Sequence, residues 1–124
     1  MGEFVNSNEN LSALFKPAKV GEITTSHRVV LPPLTRTRAN NKHVHTDLAV
    51  TYYSQRASVR GTLLITEATY VAPYAGHFSP HAPGVWNDEQ VAAWKRVSTR
   101  RVSQVLRVRF CFSFADFGIA IFLE

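Results

Sequence analysis

A chain of 124 residues with 45% apolar content and a net charge of +5 suits one small domain with a modest core and argues against general disorder. The charge is uneven: residues 98–124 carry Arg100, Arg101, Arg107 and Arg109 against Asp116 and Glu124, a net +2 that leaves +3 for residues 1–97. With no basic stripe interleaved with aromatics in those first residues, nucleic acid is not an expected partner. The single cysteine, Cys111, excludes an intrachain disulfide framework and a cysteine zinc site.

The polar, acidic opening "MGEFVNSNEN" has no basic n-region and no apolar h-region. It reads as a flexible lead over residues 1–13 rather than a secretory signal, and the expected compartment is the cytoplasm. "LFKPAKVGEITTSHR" then predicts two short extended pieces turning at Val20-Gly21-Glu22, a small hairpin. Arg28 to Leu31 form a brief β-branched run, expected to be a fully buried strand. Pro32 and Pro33 lack N–H donors, so they end that strand and stiffen the residues after it. A rigid loop carrying Thr35, Arg36 and Arg38 after a buried parallel strand is where α/β proteins usually hold a ligand.

Thr46 is a candidate helix cap with Asp47 in the first turn. Ala49, Tyr52, Tyr53, Arg56 and Ala57 then recur on one side of an amphipathic helix. Gly61 closes the next loop, and "TLLITEATYV" is a second buried run that ends near Glu67, read as a buried, hydrogen-bonded acid. "APYAGHFSPHAPGVW" is a long Pro/Gly/aromatic loop of the kind that is either functional or specially packed. "WNDEQVAAWKRV" opens a second helix, with Asn87 at the cap, Gln90 completing a capping box and Trp86 placed to staple onto Val91. Hairpin, strand, helix, strand, helix is the start of a βαβα protein with a parallel sheet. His43, His45, His77 and His81 lie in loops, and without acidic or cysteine ligands converging on them no metal site is expected.

In their order, "LFKPAKVG", "HRVVLPPLTRTRA", "YYSQRAS", "GTLLITEATYV" and "APGVWNDEQVAAWKRV" resemble the N-terminal part of the old yellow enzyme family, FMN-dependent NAD(P)H oxidoreductases (ene-reductases) of fungal or yeast type. The resemblance runs from about Leu14 to Val97. It implies an α/β fold, the N-terminal portion of a TIM (β/α)8 barrel, with about two β/α units preceded by the short hairpin. It also implies FMN as cofactor, NAD(P)H as reductant and a small α,β-unsaturated substrate in the full-length enzyme. Pro33, Leu34 and Thr35 match the family's flavin-contacting "PPLT", with the Thr35 hydroxyl near the flavin C4 carbonyl and N5. Ala68 matches the position whose backbone meets the same ring. Taken singly, the two prolines would be a strand terminator, Thr35 a turn hydroxyl and Ala68 plain packing; their order carries the resemblance.

Past Val97 no third barrel strand ending in the family's flavin-contacting glutamine is expected. The family's substrate-holding His/Asn or His/His pair and its tyrosine proton donor have no match, so no residue here is assigned a catalytic role. The division expected is a lead over 1–13, the start of a flavin oxidoreductase barrel over 14–97 and an unrelated tail over 98–124. The expected chain is a truncated barrel start, inactive alone. The competing readings are a non-catalytic fragment that is inert or binds a partner through its exposed edge, and a tail-anchored accessory protein. The anchor is disfavoured because the apolar run Phe110 to Leu123 includes Asp116 and falls short of the roughly 20 residues a bilayer needs.

Overall fold

The computed structural model describes residues 13–74 and 79–99 together with the backbone of 110–113 and 122–123. The chain opens in an antiparallel hairpin, β1 (Ala18–Val20) with β2 (Ile23–Thr25), in the register Ala18↔Thr25. Gly21 turns it at φ +57, a left-handed conformation that glycine adopts without a Cβ penalty.

Next comes β3 (Val30–Leu31), parallel to β4 (Leu63–Ala68) in the register Val30↔Leu63 and Leu31↔Leu64. The helix α1 (Asp47–Arg56) connects them. A second helix, α2 (Asp88–Thr99), comes after β4. Beyond it β5 (Phe110–Ser113) lies parallel to β4, and β6 (Phe122–Leu123) pairs antiparallel with β5. The sheet order is therefore β3-β4-β5-β6.

Two expectations are corrected here. The strand at Arg28 to Leu31 is not fully buried: it narrows to Val30–Leu31, and Val29 and Val30 remain 49% and 36% exposed. The cause is its position, since among the described residues β3 is the end strand of the sheet and pairs on one side only. A third parallel strand also exists where none was expected. Phe110-Cys111-Phe112-Ser113 combines aromatic residues that favour a pleated backbone, and β4 offers it an open ladder in the register Ile65↔Cys111. All but the last residue of the expected lead over residues 1–13 lies outside the described residues, as do 100–109 and 114–121.

α1 and α2 pack together through Ala49, Val50, Tyr53, Trp94 and Val97, with Leu31, Tyr52 and Val85 against them. The helical face of α1 is close to that expected, except that Val50 joins it and Arg56 stays exposed. Ala57 and Leu64 close a second cluster on Leu31. Gly61, at φ +78, accepts the Ser26 N–H at 3.1 Å, and a Cβ there would collide with the Ser26 side chain. The hairpin is thereby tied to the loop entering β4.

Both helix caps differ in detail from expectation. Thr46 is the N-cap of α1, but its side chain caps no helix N–H and instead donates to the Arg38 carbonyl at 3.1 Å. In α2 the Gln90 N–H reaches Asn87 Oδ1 at 2.9 Å as a capping box requires. The Gln90 side chain accepts from the Trp86 N–H at 2.9 Å and donates to the Lys42 carbonyl at 3.0 Å. It therefore joins α2 to the loop before α1.

Candidate functional site

The parallel register brings the carboxyl ends of β3 and β4 side by side, and the loop leaving β3 crosses beside the last residues of β4. Within that loop the Leu34 N–H donates to the Pro32 carbonyl at 2.8 Å. This three-residue turn is centred on Pro33, whose ring-fixed φ is close to the value such a turn needs. The double proline thus sets the loop's shape as well as ending the strand. Pro33, Leu34 and Thr35 are all exposed, and Ala68 is half-buried at the end of β4. No hydrogen bond of the Thr35 hydroxyl appears among the described residues.

One residue later the loop is tied down. The Arg36 N–H donates to Glu67 Oε2 at 2.8 Å. Glu67 is 1% exposed. Its N–H donates to the Tyr53 hydroxyl at 3.1 Å, and that hydroxyl donates back to the carboxylate. Burial pushes the Glu67 carboxyl above the usual carboxylate range, while the Arg36 amide, the Arg36 charge and the Tyr53 hydroxyl pull the other way. Burial, and then the Glu67 charge, raises the Tyr53 phenol. Glu67 is the buried, hydrogen-bonded acid that the sequence suggested.

His45 faces the same carboxylate. Its Nε2 is 4.0 Å from Glu67 Oε1, and burial lowers its pKa from 6.5 to about 4. The ring packs edge-on to Trp94 at 4.2 Å between centroids. Sequence reasoning treated His45 as one loop histidine of four. The one available signal was its position just ahead of the helix cap Thr46, where a chain entering a helix from the core side is buried.

The other described histidines are occupied. His43 Nδ1 donates to the Ala82 carbonyl at 2.7 Å and His81 Nδ1 to the Ala39 carbonyl at 3.2 Å. Together with the Tyr70 N–H on the Pro83 carbonyl at 2.9 Å, these bonds pack the described part of the long Pro/Gly loop against the segment before α1. His77 lies outside the described residues. No cluster of three or more metal-ligating side chains occurs among the described residues.

Outside the loop, a cavity of about 190 Å³ is lined by Arg36, Arg38, Tyr52, Arg56 and Glu67 among others. The Arg36 and Arg56 guanidinium groups lie 5.0 and 3.6 Å from the Tyr52 ring centroid. Arg36 is therefore more than a surface charge: it stacks on the helix and lends its charge to Glu67.

A parallel β/α opening with a proline-stiffened loop at its carboxyl end is the beginning of a barrel of the flavin oxidoreductase class. The chain belongs to the NADH:flavin oxidoreductase / NADH oxidase family, whose model matches residues 13–104. It is 50% identical to the NADP-dependent oxidoreductase lnbE of Aspergillus flavus over 71% of this chain and 23% of that protein. It is 52% identical to the probable inactive dehydrogenase easA of Claviceps fusiformis, covering 69% and 22%. Among solved structures, the old yellow enzyme of a Pichia species superposes with a TM-score of 0.71 at 43% identity, over 79% of this chain and 25% of that one. The fold is the opening of that TIM barrel. FMN, with NAD(P)H as reductant, is the cofactor of these flavin oxidoreductases. The chain spans about a quarter of the length of these relatives.

Proposed function

We propose that the chain supplies the first flavin-contacting loop and strand end of an FMN-dependent, NAD(P)H-driven reductase of activated alkenes. The observation that carries this reading is the exposure of Pro33, Leu34 and Thr35 beside Ala68, at the carboxyl ends of two parallel strands. The residues suit a planar ring. Leu34 offers an apolar surface, 48% exposed, Thr35 a hydroxyl, and Ala68 a side chain small enough for close approach. Backbone groups of Pro33 and Leu34 would border the ring, and the Thr35 hydroxyl would donate near its C4 carbonyl and N5. The chemistry such a group supplies is hydride transfer from NAD(P)H to the β-carbon of the alkene, and a hydrogen bond near N5 tunes its electron affinity.

These 124 residues by themselves are proposed to hold FMN weakly and to turn nothing over, because no residue matches the family's substrate pair or proton donor. The proposed working place is the cytoplasm; among the described residues no helix is long and apolar enough to cross a membrane. The division at Val97, with 98–124 of separate origin, belongs to the same proposal. Sequencing the transcript across the codons for Val97 to Arg109 tests it: a spliced form that continues the family's pattern supports the division, and this frame as the dominant message counts against it.

A second reading is a non-catalytic piece that binds a partner. The unpaired side of β3, with Val29 and Val30 exposed, favours it, and one relative is itself described as a probable inactive dehydrogenase. Titrating FMN into the purified chain and following flavin fluorescence separates the two. Saturable quenching that Ala68→Leu abolishes supports the flavin reading. Quenching absent at any concentration, or unchanged in Ala68→Leu, leaves the second.

A further inference from the structure

Pro32 to Arg38 belong to no helix or strand and are exposed throughout. Amides in such a segment ordinarily bond to water. Here one turns inward to a buried carboxylate: the Arg36 N–H meets Glu67 Oε2 at 2.8 Å. The backbone is bent beside it. Thr37 has φ +52, the left-handed region that a β-branched residue rarely adopts. The Thr37 hydroxyl donates to the Arg36 carbonyl at 2.7 Å and closes the other side of the turn.

The anchor is itself fixed. Glu67 is next to last in β4, exchanges hydrogen bonds with Tyr53 of α1, and its carbonyl accepts the Thr69 hydroxyl at 2.9 Å. The loop is therefore held at two places, by the turn from Leu34 to Pro32 and by Glu67 at Arg36. Thr35 is the residue between them.

We propose that Glu67 is the positioning residue of the cofactor loop: its carboxylate grips the Arg36 amide and so fixes the place of the neighbouring Thr35 hydroxyl. The purpose assigned to the loop rests on the flavin reading above, whereas the grip itself does not. Glu67 touches no reacting atom and acts through the backbone. Its side-chain oxygen gives the Arg36 N–H an acceptor, and that accounts for the one ionisable residue in β4.

Amide hydrogen exchange on the full 124-residue chain, resolved by residue, tests this. In the wild type the Arg36 amide should exchange at least about tenfold more slowly than its unstructured reference rate, despite the exposed side chain. In Glu67→Ala it should return to the reference rate while the β1–β2 and α2 amides keep theirs. In Glu67→Gln, which keeps a carbonyl acceptor without the ionisable group, it should fall between. A reference rate at Arg36 in the wild type overturns the proposal, as does undiminished protection in either variant. Should Glu67→Ala unfold, the wild type and Glu67→Gln decide alone. An FMN titration of the same samples keeps the two readings apart. A protected Arg36 amide in a wild type that binds no FMN ends the flavin reading and leaves the grip standing. Equal FMN binding by wild type and Glu67→Gln, with the amide released, ends the positioning role and leaves the flavin reading.

Discussion

His45 Nε2 stands 4.0 Å from Glu67 Oε1, and both side chains are 1% exposed. That separation is too long for a hydrogen bond, and neither ring nitrogen has another partner among the described residues. With its pKa lowered to about 4 by burial, the ring is neutral at pH 7 and carries one N–H with no acceptor. A buried donor in that state costs about 1–3 kcal/mol. Phenylalanine keeps the ring that meets Trp94 edge-on and removes the stranded polar atoms. His45→Phe is expected to stabilise the chain at pH 7 by about 1–2 kcal/mol, read as a higher denaturant midpoint at unchanged m-value.

The same residue gives stability a pH dependence of known sign. A folded pKa of about 4 against 6.5 for the free group means that the unfolded chain binds more protons between those values. His45 therefore contributes full stability above pH 6.5 and loses it as pH falls towards 4, by about 3 kcal/mol at most. Glu67 works the opposite way. Its raised pKa favours the folded state below the usual carboxylate range, and that benefit declines as pH rises through the range towards the folded value. The charged groups facing the pair are Arg36, whose charge acts on the Glu67 carboxyl, and Arg96, whose guanidinium donates to the His45 carbonyl at 3.3 Å. Subtracting the His45→Phe profile from that of the wild type isolates the histidine. The gain from the substitution should be larger at pH 5 than at pH 8, and equal gains at both would show that His45 does not titrate as a buried neutral ring.

Tyr53 joins the helix to the anchor through one oxygen that both accepts and donates. Tyr53→Phe leaves the Glu67 N–H without its acceptor and deprives the carboxylate of a donor that lowers its pKa. The expected cost is about 2 kcal/mol, as for a bond to a charged group in a buried site. A further rise in the Glu67 pKa should accompany it, measurable by following the side-chain carboxyl carbon through a pH titration. Lost stability without the added pKa rise would place the hydroxyl's role in packing alone.

Gly61 makes a sharper case. Alanine there meets the Ser26 side chain and must hold φ +78, two penalties that act on the same residue. Gly61→Ala should cost about 2 kcal/mol or more. Ser26→Gly in the same chain should recover the part due to the side-chain collision and leave the part due to backbone conformation and to the Ser26 backbone nitrogen, 2.9 Å from the added Cβ. A double-mutant cycle on thermal midpoints reads both.

The sequence made the elements legible wherever local chemistry decides them. Gly21 and the β-formers around it mark the hairpin, Asn87 and Gln90 mark the start of α2, and the double proline marks the end of β3. Order and spacing made the parallel topology legible, and the "PPLT" and "TEAT" segments made the candidate loop legible. The features that escaped depend on tertiary partners. Nothing local to Val29 and Val30 says that their strand is the last in its sheet. Nothing local to Phe110 to Ser113 says that β4 has a free ladder to accept them. The Gln90 side chain had a cap to make, but its reach to the Lys42 carbonyl needs the loop before α1 in place. His45 was the least legible of all, because the feature that distinguishes it, burial without a partner, is a property of its surroundings.

The exposed side of β3 carries a last expectation. Among the described residues its backbone pairs with β4 only, and Val29 beside it is 49% exposed. An unpaired strand edge flanked by apolar side chains is a template for pairing with a second chain. The purified chain is therefore expected to self-associate reversibly, with sedimentation that depends on concentration in the micromolar range. Val29→Lys places a charge at the edge, a common device against such pairing, and its high exposure keeps the loss of core stability within about 0.5 kcal/mol. Sedimentation velocity on both proteins tests the idea: the variant should remain monomeric at concentrations where the wild type broadens and shifts. If both sediment alike as oligomers, the contact lies elsewhere; if both are monomers, the edge is too short at two residues to recruit a second strand.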